Sequence, residues 1–184
     1  MFEVVNLSKK YHHQFVVKDF SYQFKSGLYL FVGQNGSGKS TTLKMMANLI
    51  KSSSKNGYIK SEKYCYLCEK TELSNGKVYP FLSKIAKLNN YKEDIKKIIR
   101  NWNIPNKKMA SLSKGNKQKC AILMILFTNV KVYLFDEPTD ALDQKSINMF
   151  IGAVNDLIKK DKIVIITTHE KEYFKNLNYE EINF

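Results

Sequence analysis

The stretch "GLYLFVGQNGSGKST" constrains the fold of this chain more than any other feature of the sequence. The apolar run at residues 27–32 predicts a buried strand, and apolar residues recur at helical spacing in residues 39–50. Between the two lies the pattern G-x-x-x-x-G-K-S, from Gly33 to Ser40. A glycine-rich turn that joins a strand to a helix points backbone N–H groups at an anion, so we predict a phosphate-binding loop.

The residue types of this loop suit a nucleotide bound with a magnesium ion. The glycines let the backbone curl so that successive N–H groups face phosphate oxygens. Lys39 is expected to reach the β- and γ-phosphates, the Ser40 hydroxyl to ligate Mg²⁺ and Thr41 to support the α-phosphate. The remaining loop residues are Gly33, Gln34, Asn35, Gly36, Ser37 and Gly38.

A second constraint comes from "KVYLFDEPTDALD", where an apolar run passes directly into two carboxylates, Asp136 and Glu137. Like charges at the end of a buried strand repel each other and resist burial, so we expect a cation between or beside them. If this strand neighbours the phosphate loop, Asp136 positions Mg²⁺ and Glu137 orients and deprotonates a water. The alternative is a surface acid pair that begins a turn at Pro138.

Strands alternate with helices along the rest of the chain. This rhythm predicts an α/β fold with a parallel sheet, in which the consecutive helices between residues 79 and 127 form an insertion. Strands are predicted at residues 2–11 and 15–24, with lysine-rich turns between them, and at 58–60, 63–67, 132–135 and 163–167. Helices are predicted in two segments between Tyr79 and Trp102, after a cap at Ser113, at about 146–159 and near Glu170.

The formal net charge of +13 is unevenly distributed. Residues 31–110 contain 16 Lys or Arg and 5 Asp or Glu, whereas residues 111–184 contain 10 of each. A basic half is compatible with nucleic acid, an anionic membrane surface or a phosphorylated ligand. Arg100 is the only arginine, and arginine is the residue favoured for reading bases, so specific nucleic-acid binding is not expected. A solvated lysine surface is the simpler interpretation.

Cysteine usage and apolar runs indicate a cytoplasmic chain. Cys65 and Cys68 form C-x-x-C, a spacing found in redox motifs and zinc sites, but no second such pair exists, so we expect reduced thiols. Cys120 lies in the longest apolar run, residues 120–127, and is expected in the core. That run is too short for a bilayer, which needs about 20 residues. The first residues also lack the pattern of a signal peptide.

The segment "SLSKGNKQK" (residues 111–119), together with "DEPTDALD" and "TTHE", resembles the ATP-binding cassette of ABC transporters. The resemblance covers nearly the whole chain, with several motifs in the family's order. It implies a P-loop NTPase core with an antiparallel β subdomain and an inserted helical subdomain. The implied single domain covers residues 1–184, with the core at 1–69 and 129–184 and the helical subdomain at about 70–128.

The resemblance also implies roles around the nucleotide, which would be ATP. Tyr11 stands where an aromatic ring stacks on adenine. Glu69 stands where the family usually has glutamine, and it would join Ser40 and Asp136 at the metal, adding a negative charge. Glu137 would be the catalytic base, and His169 the histidine that contacts the γ-phosphate.

Further roles concern a second subunit. Ser113, Lys114, Gly115 and Asn116 stand at the family's signature, which reaches the γ-phosphate bound by the other subunit. The signature here is LSKGN rather than LSGGQ, so lysine replaces the first glycine. Asp143 belongs to the loop that crosses the dimer interface.

The function implied is the ATP-hydrolysing subunit of an ABC transporter. Such a subunit forms an ATP-dependent homodimer, or a heterodimer with a similar subunit. It lies on the inner face of the cell membrane through a separate transmembrane permease. Two alternatives stay open, an ABC-type ATPase that acts on nucleic acid or ribosomes and a non-hydrolysing regulatory module. The chain lacks the coiled-coil insertions or second cassette typical of ABC ATPases that act on nucleic acid or ribosomes. It retains Lys39, Glu137 and His169, which argue against a non-hydrolysing module.

Overall fold

The computed structural model describes residues 2–60, 62–68 and 76–184. Glu69, the predicted metal ligand, therefore lies outside the described residues. The strands are β1 (Phe2–Tyr11), β2 (Gln14–Phe24), β3 (Gly27–Val32), β4 (Tyr58–Lys60), β5 (Tyr64–Leu67), β6 (Val132–Asp136), β7 (Ile163–Thr167) and β8 (Tyr179–Asn183). The helices are α1 (Lys39–Met46), α2 (Val78–Leu88), α3 (Ile95–Asn101), α4 (Lys114–Leu126) and α5 (Gln144–Lys159), with 3₁₀ turns at Met109–Ser111 and Lys171–Phe174.

A five-stranded sheet in the order β5-β6-β7-β3-β8 forms the centre of the fold. All of its neighbouring strands are parallel, which confirms the predicted α/β class. Every residue of β6 and β7 is buried, because packed elements cover both faces of the sheet. The carboxyl ends of β3, β6 and β7 meet at one edge, and this brings Gly33, Asp136 and Thr167 to the same side of the molecule.

Alternate residues of these strands enter two separate hydrophobic clusters, one on each face of the sheet. Tyr133 and Phe135 pack in the cluster that contains residues of α2 to α5. Val132 and Leu134 pack in the cluster that contains residues of α1, β1 and β2. Burial on both faces explains why the strands appear in the sequence as continuous apolar runs.

A second sheet, in the order β2-β1-β4, is antiparallel. The predicted lysine-rich turn between β1 and β2 is wrong, because Lys9 and Lys10 lie within β1 and the turn consists of His12 and His13. Both histidines have positive φ, 45° and 69°, as a tight two-residue hairpin turn requires. Strand pairing extends to Tyr11 and Gln14, so the hairpin carries Tyr11 to its tip.

The inserted helices agree with the sequence pattern, whereas one edge strand was not predicted. Ser113 caps α4, and its side chain accepts a hydrogen bond from the Asn116 N–H. Strand β8 has adjacent glutamates and lacks an apolar run, but it pairs with β3 along its length. No helix within the described part of the chain is long and apolar enough to cross a bilayer.

Candidate nucleotide-binding site

A cavity of about 570 Å³ lies at the carboxyl edge of the parallel sheet. It brings together most of the phosphate loop, the hairpin tip, and the acid and histidine that follow β6 and β7. The lining residues are Tyr11, Val16, Asn35, Gly36, Ser37, Gly38, Lys39, Ser40, Thr41, Glu137, Asp140 and His169. Residues predicted from four separate parts of the sequence therefore share one cavity.

The hairpin packs directly on the phosphate loop at Gly38. This glycine has φ 107° and caps α1, and a Cβ atom there would lie 2.6 Å from the carbonyl oxygen of Val16. Only glycine satisfies both the left-handed backbone and this close approach. The same contact holds the hairpin so that Tyr11 lines the cavity with 45% of its surface exposed, available for stacking against a flat ring.

Lys39 lies across the phosphate loop and is 5% exposed. Its Nζ donates to the carbonyl oxygens of Gly33 and Gln34, at 2.7 and 3.0 Å. Gly33 and Gln34 do not line the cavity themselves, and they contribute these acceptors instead. Ser37 adds a buried hydroxyl that has no hydrogen-bond partner among the described residues. A buried ammonium, a helix N-terminus and an unpaired hydroxyl at one place suit an anion such as phosphate.

Asp136 is fully buried at the end of β6 and is surrounded by hydroxyl groups. Its Oδ1 accepts from Ser40 Oγ at 2.7 Å and from Thr167 Oγ1 at 2.8 Å, and its Oδ2 accepts from the Tyr66 hydroxyl at 3.0 Å. These donors offset the cost of burying the carboxylate.

The pair formed by Ser40 and Asp136 fits a magnesium ion. Hydroxyl and carboxylate oxygens are ligands that Mg²⁺ accepts, and here they lie beside the phosphate loop. Among the described residues, no group of three or more His, Cys, Asp or Glu side chains could hold a metal. Mg²⁺ is commonly held by one or two protein groups together with phosphates and water, which fits the pair of Ser40 and Asp136.

Glu137 lies next to Asp136 in sequence but has different surroundings. Its φ of 45° turns the chain directly after β6, and its N–H donates to Thr167 Oγ1 at 2.9 Å. Its Oε1 lies 2.9 Å from His169 Nε2. Burial, followed by the nearby Asp140 carboxylate, raises the pKa of Glu137 to about 7. A carboxyl group with a pKa near neutrality suits a general base.

Asp136 and Glu137 have different neighbours in the fold. Each acid has its own partners: the hydroxyls of Ser40, Thr167 and Tyr66 for Asp136, and the imidazole of His169 for Glu137. Thr167 touches both acids, since its hydroxyl donates to Asp136 and accepts from the Glu137 N–H. The two adjacent carboxylates therefore have separate protein partners and are linked through Thr167.

The signature segment, residues 113–116, does not line this cavity. Ser113 and Lys114 are exposed at the start of α4. A Cβ atom on Gly115 would lie 2.5 Å from the Ala141 carbonyl oxygen, so glycine is required at this position. The exposed position of Lys114 explains why the fold accepts lysine there.

One face of α4 braces the loop that follows Glu137. Besides the Gly115 contact, Gln118 Nε2 donates to the Pro138 carbonyl oxygen at 3.2 Å. Lys119 Nζ lies 2.6 Å from Asp143 Oδ2. Asp143 also caps α5, and it accepts from the N–H and the hydroxyl of Ser146, both at 2.9 Å.

Several of these residues were not singled out by the sequence. Thr167 and Asp140 lie inside recognised motifs, "TTHE" and "DEPTDALD", but nothing in the sequence distinguishes them from their neighbours. Tyr66 and Lys119 reach the site from β5 and α4, and their contacts become visible only once the strand and helix packing is known. Among the described residues, Cys65 and Cys120 are free cysteines, and burial raises the pKa of the Cys65 thiol to about 12.

A family model described as "ABC transporter" matches residues 17–140 of the chain. The chain belongs to the ABC transporter family. An uncharacterized ABC transporter ATP-binding protein of Bacillus subtilis, YybJ, is 31% identical over 195 residues, which cover 94% of this chain and 87% of YybJ. The energy-coupling factor transporter ATP-binding protein EcfA1 of Thermotoga maritima is 27% identical over 193 residues, which cover 95% of this chain and 74% of EcfA1.

Solved structures show the same fold. The dimeric structure of MJ0796, a bacterial ABC transporter cassette, matches with a TM-score of 0.79 at 20% identity, covering 98% of this chain and 94% of that one. The α/β core is therefore that of an ABC ATPase. Membership of this family supports nucleotide binding, and ATP hydrolysis is the general activity of ABC ATPases.

Proposed function

We propose that this chain is the ATP-binding and ATP-hydrolysing subunit of an ABC transporter. The observation that carries the proposal is the convergence of the phosphate loop, Asp136 and the Glu137–His169 pair around one cavity. Membership of the ABC transporter family supports it independently. We also propose the division of residues 1–184 into a core (1–69 and 129–184) and a helical subdomain (about 70–128).

In this proposal each side of the cavity holds one part of Mg-ATP. Tyr11 stacks on adenine, and the N–H groups and Lys39 of the phosphate loop bind the phosphates. Lys39 would exchange its two carbonyl acceptors for phosphate oxygens. Ser40 and Asp136 would hold Mg²⁺, which when bound neutralises negative charge on the β- and γ-phosphates. Glu69 remains a proposed further ligand.

Hydrolysis needs a water placed in line with the γ-phosphorus. Glu137 would orient this water and accept its proton as the water oxygen bonds to phosphorus and the bond to the ADP oxygen breaks. His169 would turn from Glu137 Oε1 towards the γ-phosphate, which frees the carboxylate for the water.

The exposed signature segment supports a dimer. The Ser113 hydroxyl and the first N–H groups of α4 form an anion site, and they lie outside the cavity of their own chain. A γ-phosphate bound by a second subunit would satisfy them, with Lys114, Gly115 and Asn116 beside it. ATP would then hold two subunits together, with the loop that contains Asp143 at the interface, and hydrolysis would release them.

The second partner in the proposal is a separate transmembrane permease. The helical subdomain and the segment around Glu69 would receive a helix of that permease and place the chain on the cytoplasmic face of the membrane. No specific nucleic-acid contact is proposed, because a single arginine suits base reading poorly. Cysteines placed along residues 76–90, in a background without the native three, should crosslink to a co-expressed permease.

The central experiment compares Glu137→Gln with Lys39→Ala. Glu137→Gln should bind Mg-ATP like the parent, lose most turnover, and dimerise with ATP but not with ADP in size-exclusion chromatography with light scattering. Lys39→Ala should weaken ATP binding itself, because it removes the buried ammonium. Hydrolysis by Glu137→Gln at the parental rate would be incompatible with the proposed base, and a dimer that forms without ATP and survives Ser113→Ala would exclude the signature's role.

A further inference from the structure

The hydroxyl of Tyr66 donates to Oδ2 of Asp136 across a distance of 3.0 Å. We propose that Tyr66 is a positioning residue that sets the affinity of the nucleotide-loaded site for its divalent cation by holding the Asp136 carboxylate in place. The inference rests on the proposed function, since it takes Asp136 to be the metal-site acid.

The sheet explains how Tyr66 reaches this carboxylate. Strand β5 runs parallel to β6, and Tyr66 is in register with Leu134, two residues before Asp136. Side chains two residues apart on a strand lie on the same face, so Leu134 and Asp136 share the face on which Tyr66 lies. Two residues of strand extend roughly 6.6 Å, which the length of a tyrosine side chain covers.

The two oxygens of Asp136 are held in different ways. Oδ1 accepts from both Ser40 and Thr167, whereas Tyr66 holds Oδ2. Ser40 is itself a proposed metal ligand, so its contact with Asp136 would depend on whether the metal is bound. Tyr66 and Thr167 are then the donors that keep the carboxylate fixed. Partners of this kind orient the groups that bind a metal, and their loss commonly costs about 10–100-fold in metal affinity or activity.

Tyr66 permits a test that leaves the contact between Thr167 and the Glu137 N–H in place. The Thr167 hydroxyl also accepts from the Glu137 N–H, so any change at Thr167 would disturb both acids at once. Tyr66→Phe removes one hydroxyl and keeps the ring, which packs beside the cluster of α1, β1 and β2. The substitution therefore removes the hydroxyl contact with Asp136 and keeps the apolar packing of the ring.

The same strand offers a matched control. Tyr64 lies two residues earlier on β5, hence on the same face, and its hydroxyl donates to the Ala47 carbonyl oxygen at 2.9 Å. Tyr64→Phe thus removes a tyrosine hydrogen bond of similar length from the same strand, but one that touches neither acid. A general loosening of β5 would affect both variants alike.

The experiment measures Mn²⁺ binding by electron paramagnetic resonance, with the full chain and one equivalent of adenylyl imidodiphosphate. We expect Tyr66→Phe to raise the dissociation constant of Mn²⁺ by about tenfold, the lower end of the effect of losing such a partner. Tyr64→Phe should match the parent. Nucleotide binding in EDTA, followed by fluorescence of a labelled ATP, should be the same in all three proteins, since the phosphate loop is untouched.

Two results would overturn the inference. Equal Mn²⁺ constants for Tyr66→Phe and Tyr64→Phe would show that the Tyr66 hydroxyl does not act on the metal site. Equal weakening of nucleotide binding in EDTA and of Mn²⁺ binding would show a loosened cavity instead of a mispositioned acid. If the parent protein binds nucleotide but no Mn²⁺ with it, the proposed metal site itself is wrong. The measurement on the parent protein distinguishes this outcome from a failure of the role of Tyr66 alone.

Discussion

The ion pair between Lys119 and Asp143 should make a measurable contribution to stability, although one partner is exposed. The Lys119 side chain is 6% exposed and that of Asp143 is 58% exposed, and 2.6 Å separates Lys119 Nζ from Asp143 Oδ2. A hydrogen bond to a charged group contributes about 1.5–3 kcal/mol, and exposure of the carboxylate reduces this value. We therefore expect Asp143→Asn to lower the free energy of unfolding by about 1–2 kcal/mol.

Asparagine isolates the charge because it caps a helix about as well as aspartate does. Asp143→Ala should cost about 1 kcal/mol more, since it also removes the acceptor for the N–H and hydroxyl of Ser146. In a Lys119→Met background the buried cation is absent, and Asp143→Asn should then cost less than about 0.5 kcal/mol.

The assay is urea unfolding followed by the fluorescence of Trp102, the single tryptophan, which is buried beside α3. The cycle should be measured at neutral pH and again in acid. Lys119 lowers the pKa of Asp143 in the folded protein. The stabilisation is therefore present above the pKa that Asp143 has in the unfolded chain, and it is lost as the pH falls through the pKa that Asp143 has in the folded protein. The difference between parent and Asp143→Asn should therefore shrink below about pH 4. Equal costs in the two backgrounds at neutral pH would refute the reasoning.

Three further predictions concern the nucleotide cavity and its brace. Tyr11→Ala should weaken ATP binding by about 1–3 kcal/mol, while Tyr11→Phe should bind ATP about as tightly as the parent in a fluorescence titration. Equal ATP affinities for the parent and both variants would show that Tyr11 does not contact the nucleotide. The rate constant kcat/KM should rise with pH through about 7 as Glu137 loses its proton, and Asp140→Asn should move this rise to lower pH. Gly115→Ala should lower both stability and turnover, because its Cβ would meet the Ala141 carbonyl oxygen at 2.5 Å. An unchanged pH profile, or a parental melting temperature for Gly115→Ala, would contradict the corresponding prediction.

The phosphate loop and the paired acids could be predicted because their signals are local. A buried strand, a glycine-rich turn and a helix follow one another within residues 27–46, and the loop geometry depends on little else. In the same way, the apolar run that ends at Asp136 marks both the strand and the acid. Ser113 was identified as a cap because the capping contact joins it to Asn116, three residues away.

The partners of these acids could not be predicted, because they depend on the order of the strands. Tyr66 reaches Asp136 only because β5 lies beside β6, and Thr167 reaches both acids only because β7 lies on the other side. Strand β8 could not be predicted from the sequence for a related reason. Its adjacent glutamates carry no periodic apolar signal, and pairing with β3 defines it as a strand.

The packing of α4 connects the two halves of the proposed mechanism. This helix begins at Ser113, the residue proposed to meet the γ-phosphate of the partner, and its next turn contacts the loop after Glu137. Gln118 and Lys119 lie three and four residues after Gly115, so both share a face of the helix with it. A shift of α4 on binding a neighbour's phosphate would therefore move the Pro138 carbonyl and the Asp143 carboxylate together. Because Pro138 follows Glu137 directly, the proposed base of one subunit would respond to the nucleotide of a proposed second subunit through a path within a single chain.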